Sequence, residues 1–424
     1  LTANGDSISN TSFIFEGNNY RDTWNFGKAT GIQASRILAT QTSKQYDGIK
    51  LNIGTNTEGS NLLQVGKWNK SYSNVAIWEL VFLDHDATEE ELTKIKDYFV
   101  KTYPWLFPDQ AWTVVGKTNE DEDRATIANI TGNGNDLVLS NLGFAEGSGY
   151  GLYAENYAGG RWVQSTDRAD LTWTSYSVNI TSVKVASTQL YYQSYPEQPS
   201  FIVPSYKIKV YGLKDGQTLS YRQATSEGQQ LYKISEDGTY TLPSFPFKAN
   251  GDWYGFTLNK VQESCDITIE QIPEYEGYLV TDGVDDKITS SVFGMGKDFT
   301  IVGDWKFIDN KKSGTGLVKG SSFYIYNTMI GLDLYINSGS VKNSLDGIKS
   351  INAACSDGWA YDRNWNEILA NTGNVVGSGG TLEVSSSGGR FDRIAFKNLA
   401  IYPRILSKDD CIKAYNYLQT LKAK

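Results

Sequence analysis

The chain has 424 residues and a net charge of −9, and 13% of its residues are aromatic. A length on this scale predicts two or three domains. The acidic excess argues against a nucleic-acid-binding protein, which needs a basic surface, and no apolar run approaches the roughly 18 residues of a membrane span. With 27 Tyr, 41 Gly and one His, the composition is typical of a turn-rich, all-β extracellular or virion protein.

The first segment, residues 1–107, predicts short strands that end in a helix. Alternating runs such as FIFEG and NLLQVG are bounded by Gly, Asn and Ser, as strands are. The longest apolar run, VAIWELVFL, is followed by Thr88 and Glu91, whose spacing predicts a capping box at a helix start. Leu92, Ile95 and Phe99 then supply an apolar helical stripe.

The end of the chain repeats this pattern. FDRIAFKNLAIYPRILS is again an apolar strand and a turn, and Ser407 stands where Thr88 stands in the first copy. Ala414, Leu418 and Leu421 continue as a helical stripe. A repeat that ends two modules in the same way predicts an array of related β-domains rather than a single catalytic body.

Two Gly-, Asn- and Asp-rich signatures open the middle of the chain. TGNGNDLVLSN begins at Thr131, and LVTDGVDDKI begins at Leu279. The first run requires backbone turns with positive φ, which Gly and Asn tolerate. Each signature leads into a predicted strand, and KDFTIVGDWKF follows the second one.

These segments, in this order, resemble the opening and closing motifs of laminin-G-like, concanavalin-A-like jelly rolls. The resemblance implies two modules: a first one, complete or truncated, at 1–107, and a second that begins at 108–154 and resumes at 276–424. NEDEDRATIANITGNGNDLVLSNLGFAEGSGYGLY also resembles segments of tail-fibre and other virion proteins of phages and prophages of Bacteroides-type bacteria, including crAss-like phages.

The two signatures are separated by far more chain than one jelly roll needs there. Residues 155–275 contain alternating runs such as SYSVNITSVKV, SYKIKVYGL, WYGFTLNKV and CDITIEQI, with turn residues between them. This pattern predicts an inserted immunoglobulin-like β-sandwich, and insertion at a surface loop costs little loop-closure entropy. The predicted fold is therefore all-β, with short capped helices at the module ends.

The cysteines and the histidine offer no metal site. Cys265, Cys355 and Cys411 have no CxxC spacing and no neighbouring His, so we interpret them as buried apolar side chains. The single His85 lies in the turn LDHDAT and is interpreted as a surface residue.

The two signatures form a candidate calcium site. Asn135 and Asp136 come from the first, and Asp282, Asp285 and Asp286 come from the second. Calcium takes 6 to 8 oxygen ligands, which such turns supply. The alternative, and the more common case, is that these side chains bond their own backbone.

One aromatic cluster is the best candidate for a ligand site. The segment GWAYDRNWNE contributes Trp359, Tyr361, Asp362, Arg363 and Trp365. Sugars stack on exposed aromatic faces, and planar polar groups beside them bond the hydroxyls. The alternative is that the cluster packs inside the sandwich or at an interface.

The resemblance implies a non-enzymatic virion fibre or receptor-binding component that displays lectin-like modules to bacterial surface glycans. Such fibres are usually trimers, so a homo-oligomer, with a trimer favoured, and other virion proteins are the expected partners. The expected location is the surface of a virion or the extracellular space. Three alternatives stay open: a bacterial adhesin or glycan-binding protein, a glycoside hydrolase of concanavalin-A-like fold, and a purely structural virion protein. No E-x-D-x-E pattern supports the hydrolase.

Overall fold

A computed structural model describes part of the chain. Before residue 88 it describes the backbone of 2–3, 11–17, 20–26, 33–34, 62–64, 67–68, 71–72 and 75–76. From there it describes 88–145, 147–164, 168–192, 200–214, 216–225, 228–248, 252–308, 314–319, 323–327, 331–336, 345–346, 351–369, 379–387 and 390–423. No helix in these ranges is long and apolar enough to cross a membrane.

The first segment contains short strands and one helix. The strands are β1 (Thr2–Ala3), β2 (Thr11–Gly17), β3 (Tyr20–Phe26), β4 (Gln33–Ala34), β5 (Leu62–Gln64), β6 (Lys67–Trp68), β7 (Ser71–Tyr72) and β8 (Val75–Ala76). They form small antiparallel sheets in the orders β4–β1–β8, β3–β2–β5 and β6–β7. Much of this segment, His85 included, lies outside the described residues, so its jelly roll stays a prediction.

Helix α1 (Glu89–Thr102) confirms the predicted capping box. The Glu91 N–H donates to Thr88 Oγ1 at 3.2 Å, and the Thr88 N–H donates to Glu91 Oε2 at 2.8 Å. These bonds satisfy amide groups that a helix start otherwise leaves unpaired. A 3-10 turn at Pro104–Leu106 follows the helix.

The remaining elements are strands, apart from one closing helix. Up to residue 152 they are β9 (Gln110–Thr113), β10 (Thr126–Ile127), β11 (Leu137–Ser140) and β12 (Gly149–Leu152). Then come β13 (Trp162–Gln164), β14 (Ala169–Trp173), β15 (Ser177–Val183), β16 (Thr188–Tyr192), β17 (Phe201–Val203), β18 (Tyr206–Tyr211), β19 (Leu219–Thr225), β20 (Gly228–Ile234), β21 (Gly238–Leu242), β22 (Phe245–Phe247), β23 (Trp253–Leu258) and β24 (Ile267–Ile272).

The last part of the chain completes the list. Its strands are β25 (Glu274–Val280), β26 (Lys287–Ser290), β27 (Phe293–Gly294), β28 (Thr300–Phe307), β29 (Gly314–Lys319), β30 (Phe323–Asn327), β31 (Gly331–Ile336), β32 (Leu345–Asp346), β33 (Ile351–Cys355), β34 (Trp359–Asp362), β35 (Glu367–Leu369), β36 (Gly379–Gly380), β37 (Leu382–Val384), β38 (Ser386–Ser387), β39 (Arg390–Phe391) and β40 (Ile394–Tyr402). Helix α2 (Lys408–Gln419) closes the chain. The predicted all-β class is confirmed.

The chain divides into two compact units. The first comprises 1–117, 123–140 and 283–424, and the second comprises 118–122 and 141–282. The predicted domain boundaries at 107, 154 and 275 differ from these breaks and stay predictions.

The first unit contains two large antiparallel sheets. One has eight strands in the order β10–β11–β26–β37–β29–β30–β31–β32. Its pair β11–β26 joins the two signature strands, with Leu137 opposite Ser290 and Leu139 opposite Ile288. The other sheet includes the order β40–β28–β33–β34–β35, with β9 also paired to β40.

Helix α2 covers one face of the β40 sheet. It begins at Ser407, whose hydroxyl accepts a hydrogen bond from the Asp410 N–H at 3.2 Å, as the sequence predicted. One apolar cluster joins the helix, the 3-10 turn and the sheet; its members include Trp105, Ala111, Val302, Ala353, Cys355, Tyr361, Ala400, Tyr402, Cys411, Ala414 and Leu418. The predicted helical stripe is therefore the face that packs on the sheet.

The second unit contains a β-sandwich of two five-stranded sheets. Their orders are β13–β16–β23–β19–β20 and β14–β15–β24–β18–β21. Alternate residues of strands such as β18 point inward, and side chains of both sheets share one buried cluster, so the sheets pack face to face. The core is rich in aromatic rings: the ring centroid of Trp162 lies 5.6 Å from that of Tyr254 and 6.0 Å from that of Phe256.

The three cysteines are free and buried, as the sequence predicted. Tertiary structure brings two of them together: Cys355 on β33 and Cys411 on α2 share the cluster beneath the helix. The hydrogen bond between Cys355 and Cys411 lowers the pKa of Cys355 and, together with burial, raises the pKa of Cys411. Burial raises the pKa of Cys265. A raised thiol pKa leaves little reactive thiolate at neutral pH.

We expect the thiols to be inert in the folded protein. Because all three are buried, a water-soluble disulfide reagent should react with none of them during a time in which a denatured sample releases three equivalents. Absorbance of the released chromophore measures this. Rapid reaction of one or more thiols under native conditions would contradict the burial described above.

Candidate ligand-binding sites

The predicted aromatic cluster lies in the hairpin formed by β34 and β35. Asp362 organises its turn: Oδ1 accepts hydrogen bonds from the N–H groups of Asn364 and Asn366, both at 2.8 Å. Trp365 adopts the left-handed region, with φ at 62°. The carboxylate that we expected to bond a ligand thus holds its own loop in shape.

Two of the three aromatic rings in the cluster pack into the protein. Tyr361 is 6% exposed, and burial raises its pKa to about 12. Trp365 meets Tyr415 of helix α2 edge to face, with ring centroids 5.6 Å apart. Both rings therefore hold the hairpin against the closing helix.

The cluster does not form the exposed platform that we predicted. Arg363 pairs with the buried carboxylate of Asp304 at 3.3 Å, and Trp359, at 39% exposure, is the one ring of the cluster that stays open to solvent. Packing on α2 and turn closure engage the other side chains, and a ligand-binding role for the cluster stays a prediction.

The TGNGND turn is held by a buried asparagine. Asn129, 5% exposed, accepts from the Ala111 N–H at 3.2 Å and from the Thr131 N–H at 3.0 Å, and its amide donates to Gln110 and to the Gly134 carbonyl. Gly132, Gly134 and Asn135 have φ between 64° and 83°, which confirms the predicted positive-φ turns.

The five predicted calcium ligands divide between two environments. The carboxylate oxygens of Asp282, Asp285 and Asp286 lie within 4.8 Å of one another. Asp136 instead accepts from the Asn129 N–H at 2.8 Å, and Asn135 accepts from the Ser291 hydroxyl at 3.2 Å. The three aspartates of the second signature fit the anionic part of a calcium sphere, whereas Asn135 and Asp136 support their own turn.

A cavity of about 300 Å³, open to solvent, lies at the surface of the β-sandwich, and the sequence did not point to it. Its lining comes from β19, β20, β22 and the residues after β22, and comprises Gln223, Thr225, Gly228, Gln229, Gln230, Phe245, Pro246, Lys248 and Asp252. The lining thus combines three amides, a hydroxyl and two charged groups with the apolar surface of Phe245 and Pro246. The contributing segments are adjacent only because the sandwich folds β22 beside the β19–β20 hairpin.

Gln223 is the unusual member of this lining. It faces inward from β19, opposite Tyr254 on one side and Gln230 on the other, and it is 3% exposed. Its Nε2 group has no hydrogen-bond partner. A buried amide donor without a partner costs about 1–3 kcal/mol, and the Nε2 group of Gln217, outside the cavity lining, is in the same state.

The outer face of the same sheet carries aromatic and guanidinium groups. Arg222 lies over the ring of Trp253 at 5.0 Å and bonds Gln229. Tyr191 meets Trp253 edge to face at 6.3 Å. Trp253 follows Asp252, a residue of the cavity lining, in the chain. The half-buried pair of Tyr191 and Trp253 is therefore adjacent in sequence to that lining.

A buried Glu–Tyr pair lies inside the sandwich. Glu155 accepts hydrogen bonds from the Tyr254 hydroxyl at 2.7 Å and from the Trp162 ring N–H at 3.1 Å. Burial, and then the Glu155 charge, raise the pKa of Tyr254. A nucleophilic tyrosine needs the opposite shift and access to substrate, so this pair acts as a polar anchor of the core.

The strand CDITIEQI does not pair carboxylates either. Asp266 accepts a hydrogen bond from the Asn179 amide at 2.7 Å, which ties β15 to the start of β24. Glu270 lies opposite Lys209 and Ser177 in the sheet. The two side chains serve strand pairing.

No protein-family model matches the chain, and no curated protein matches it. Among solved structures, a mutant of Trypanosoma rangeli sialidase displaying trans-sialidase activity aligns with 8% identity and a TM-score of 0.25, covering 60% of this chain and 62% of that one. The sialidase in complex with sialic acid aligns with 9% identity and a TM-score of 0.25, covering 68% and 67%.

A third similar structure is the CBM22-1-CBM22-2 tandem domain of Paenibacillus barcinonensis Xyn10C. It has 9% identity and a TM-score of 0.19, covering 61% of this chain and 98% of that one. The chain spans 62% of the length of the trans-sialidase mutant. At TM-scores this low, the likeness carries no argument about function.

The packing of the hairpin predicts a contrast between two tryptophans. Trp365→Ala should lower the free energy of unfolding by about 3 kcal/mol, because it removes a ring packed on α2, whereas Trp359→Ala should cost less than about 1 kcal/mol. Urea denaturation followed by fluorescence measures both. Equal costs would contradict the packing role of Trp365.

The hydrogen bonds of the TGNGND turn predict a second contrast, between Asn129 and Asn133. Asn129→Ala should destabilise the protein by about 3 kcal/mol, because it leaves several buried groups without partners. Asn133→Ala in the same turn, an exposed side chain, should cost under about 1 kcal/mol. Thermal unfolding of both variants provides the comparison, and a mild Asn129→Ala would show that the network is dispensable.

Proposed function

We propose that this chain is a non-enzymatic glycan-binding protein. The observation that carries the proposal is the cavity of about 300 Å³ with an amide-rich lining. Ligand sites are concave, with apolar walls and a few placed polar groups, and this cavity has that construction.

The chemistry of the lining favours a polyhydroxylated ligand. A glutamine amide offers two donors and an acceptor, and Gln223, Gln229 and Gln230 together offer both kinds of bond that a sugar hydroxyl makes. Phe245 supplies an apolar wall for C–H groups. A purely apolar ligand would leave these amides unpaired, at a cost for each.

The setting that we propose is a virion fibre or another receptor-binding component outside the cell. This part of the proposal rests on the resemblance of the signature segments, which also suggests a trimer, other virion proteins as partners and bacterial surface glycans as the target. A bacterial adhesin with the same sandwich would bind in the same way, so the cavity supports the binding role in either setting.

We further propose that calcium, where present, is held by Asp282, Asp285 and Asp286. Gly283 between them has φ at 75°, and a side chain there would press on Arg393, so the turn depends on glycine. Asp286 is 1% exposed, and its backbone carbonyl accepts from the Ser385 hydroxyl. A calcium ion would offset the mutual repulsion of three close carboxylates.

We expect the full chain to bind members of a panel of bacterial surface glycans without releasing sugar. Glycan-array fluorescence measures binding, and chromatography of the same incubations measures product. Binding without product is the expected result. Released sugar would contradict the non-enzymatic role, and the absence of binding to every glycan would contradict the proposal itself.

Calcium should stabilise the protein through the three aspartates. At about 10 mM calcium and a dissociation constant of about 1 mM, the gain is about 1.4 kcal/mol, which raises the unfolding temperature. Asp285→Asn should lose most of this response, whereas Asp136→Asn, altered in the other turn, should keep it. Differential scanning calorimetry with and without calcium measures this rise in unfolding temperature. A rise in Asp285→Asn equal to that of the unaltered protein would exclude this site.

A further inference from the structure

We infer that the outer face of the β13–β16–β23–β19–β20 sheet binds an acidic polysaccharide. Tyr191 and Trp253 stack on its sugar rings, and Arg222 and Lys233 pair with its carboxylates. The inference rests on the proposed glycan-binding function, to which it adds a second surface and a chemical class of ligand. This surface lies on the solvent side of the sheet, beside the cavity.

The register of the sheet identifies its outer face. Leu190, Tyr254 and Phe256 belong to the buried cluster that the two sheets share. Because side chains alternate along a strand, the residues between them point to solvent. One row of outward residues crosses all five strands, each residue opposite the next: Val163, Tyr191, Gly255, Arg222 and Leu231. With strands about 4.8 Å apart, this row is about 19 Å long, which suits a chain of sugars rather than one.

A glycine leaves the middle of this row open. A side chain at Gly255 would overlap the backbone carbonyl of Leu190 on the neighbouring strand, so bare backbone lies between Tyr191 and Arg222. Trp253, on the same strand as the glycine, is half-buried like Tyr191, and their ring centroids are 6.3 Å apart. Two aromatic rings therefore stand beside a shallow strip that can receive the flat C–H face of a sugar ring.

The charged residues of this sheet are all basic. Its five described strands contain Arg222 and Lys233 and no Asp or Glu. The strands of the other sheet contain acidic and basic residues in equal number, and there Glu270 lies opposite Lys209. In a chain with a net charge of −9, a sheet that carries only cations is complementary to an anionic ligand.

The carboxylates next to this end of the sheet do not cancel its charge. Asp252 precedes Trp253, but it is 3% exposed and accepts the Lys248 N–H at 2.8 Å, and the Lys248 ammonium accompanies it. Glu227, in the turn between β19 and β20, lies outside the described residues. With both carboxylates counted against Arg222, Lys233 and Lys248, the sum stays positive.

Arg222 is oriented for a carboxylate. Its guanidinium lies over the Trp253 ring, 5.0 Å from the centroid, and its Nη2 donates to Gln229. A guanidinium has five N–H donors in a planar fork, so this bond leaves donors for bidentate pairing with a ligand carboxylate. Lys233 lies two positions beyond Leu231, the residue opposite Arg222, and such diagonal neighbours are about 7–8 Å apart. The two cations can thus pair with separate carboxylates of one ligand.

The aromatic rings distinguish an acidic sugar from other anions. An acidic peptide or an inorganic anion would use the two cations and leave the rings of Tyr191 and Trp253 without a matching face. A uronic or sialic acid carries a carboxylate and a flat C–H surface on the same ring. The arrangement of a stacked guanidinium beside two rings and a bare glycine therefore favours an acidic polysaccharide.

The test compares two cations on opposite sides of the sandwich. Arg222→Gln removes the guanidinium from the proposed surface. Lys209→Gln is the matched control, because Lys209 is an exposed strand residue that also lies over an aromatic ring, that of Tyr211 at 5.4 Å, on the outer face of the other sheet. Neither side chain belongs to the buried cluster, so both variants should keep the unfolding temperature of the unaltered protein, which calorimetry measures.

The probes are four immobilised polymers: polygalacturonate and polysialic acid, neutral dextran, and poly-L-glutamate, which is acidic and has no sugar rings. In surface plasmon resonance the full chain should bind an acidic polysaccharide in preference to dextran and poly-L-glutamate. Arg222→Gln should weaken this binding at least tenfold, and Lys209→Gln should leave it within twofold. Because exposed ion pairs are screened by salt, the binding should weaken as ionic strength rises.

A cavity variant separates the outer face from the cavity. Gln230 lines the cavity and lies on the inner side of β20, opposite Gln223. Gln230→Ala should therefore bind the acidic polysaccharide within twofold of the unaltered protein. Binding that Gln230→Ala abolishes and Arg222→Gln leaves intact would overturn the outer face as the site, while the glycan-binding function stands.

The remaining outcomes concern the ligand. Equal binding to poly-L-glutamate would overturn the sugar as the recognised group, and binding to dextran alone would overturn the acidic class. If the unaltered protein binds neither these polysaccharides nor any glycan of the bacterial panel, the glycan-binding function itself fails.

Discussion

The burial of strand β40 is the constraint on which the first unit depends. Eight of its nine residues are buried, and it pairs with β28 from Thr300 opposite Tyr402 to Phe307 opposite Ile394. A strand this apolar must be covered on its faces. The chain supplies one cover directly, because the segment that ends the strand turns at Ser407 into helix α2, which packs back onto the sheet. Strand β40 and helix α2 therefore form one packing unit at the end of the chain.

The packing of α2 on the sheet also determines which aromatic rings of the β34–β35 hairpin are buried. Tyr361 and Trp365 are residue types that can stack on a sugar, but here their rings pack against the apolar cluster that includes α2. Burying a ring against a helix stabilises the fold by an amount comparable to what a weak ligand would supply. The same residue types therefore serve packing here, and the charged members of the hairpin close its turn or pair with Asp304.

The sandwich places its polar groups differently. Deep in its core, Glu155 satisfies Tyr254 and Trp162 within the protein. At the cavity, the inward row of β19 continues from Tyr221 to Gln223 and leaves an amide donor unmatched. Buried polar groups that folding leaves unsatisfied are expected at functional positions. The ligand binding that we propose for the cavity rests on its concave, amide-rich lining.

The sequence by itself determined the all-β class, the two helix caps at Thr88 and Ser407, and the positive-φ turns of TGNGND, because these depend on local periodicity, side-chain-to-backbone bonds and allowed backbone angles. Only the tertiary structure decided which polar and aromatic residues meet. It paired β11 with β26 across an intervening unit, brought Cys355 to Cys411, turned Trp365 inward and set Gln223 beside Asp252. These placements depend on contacts between residues far apart in the chain, which local pattern does not encode.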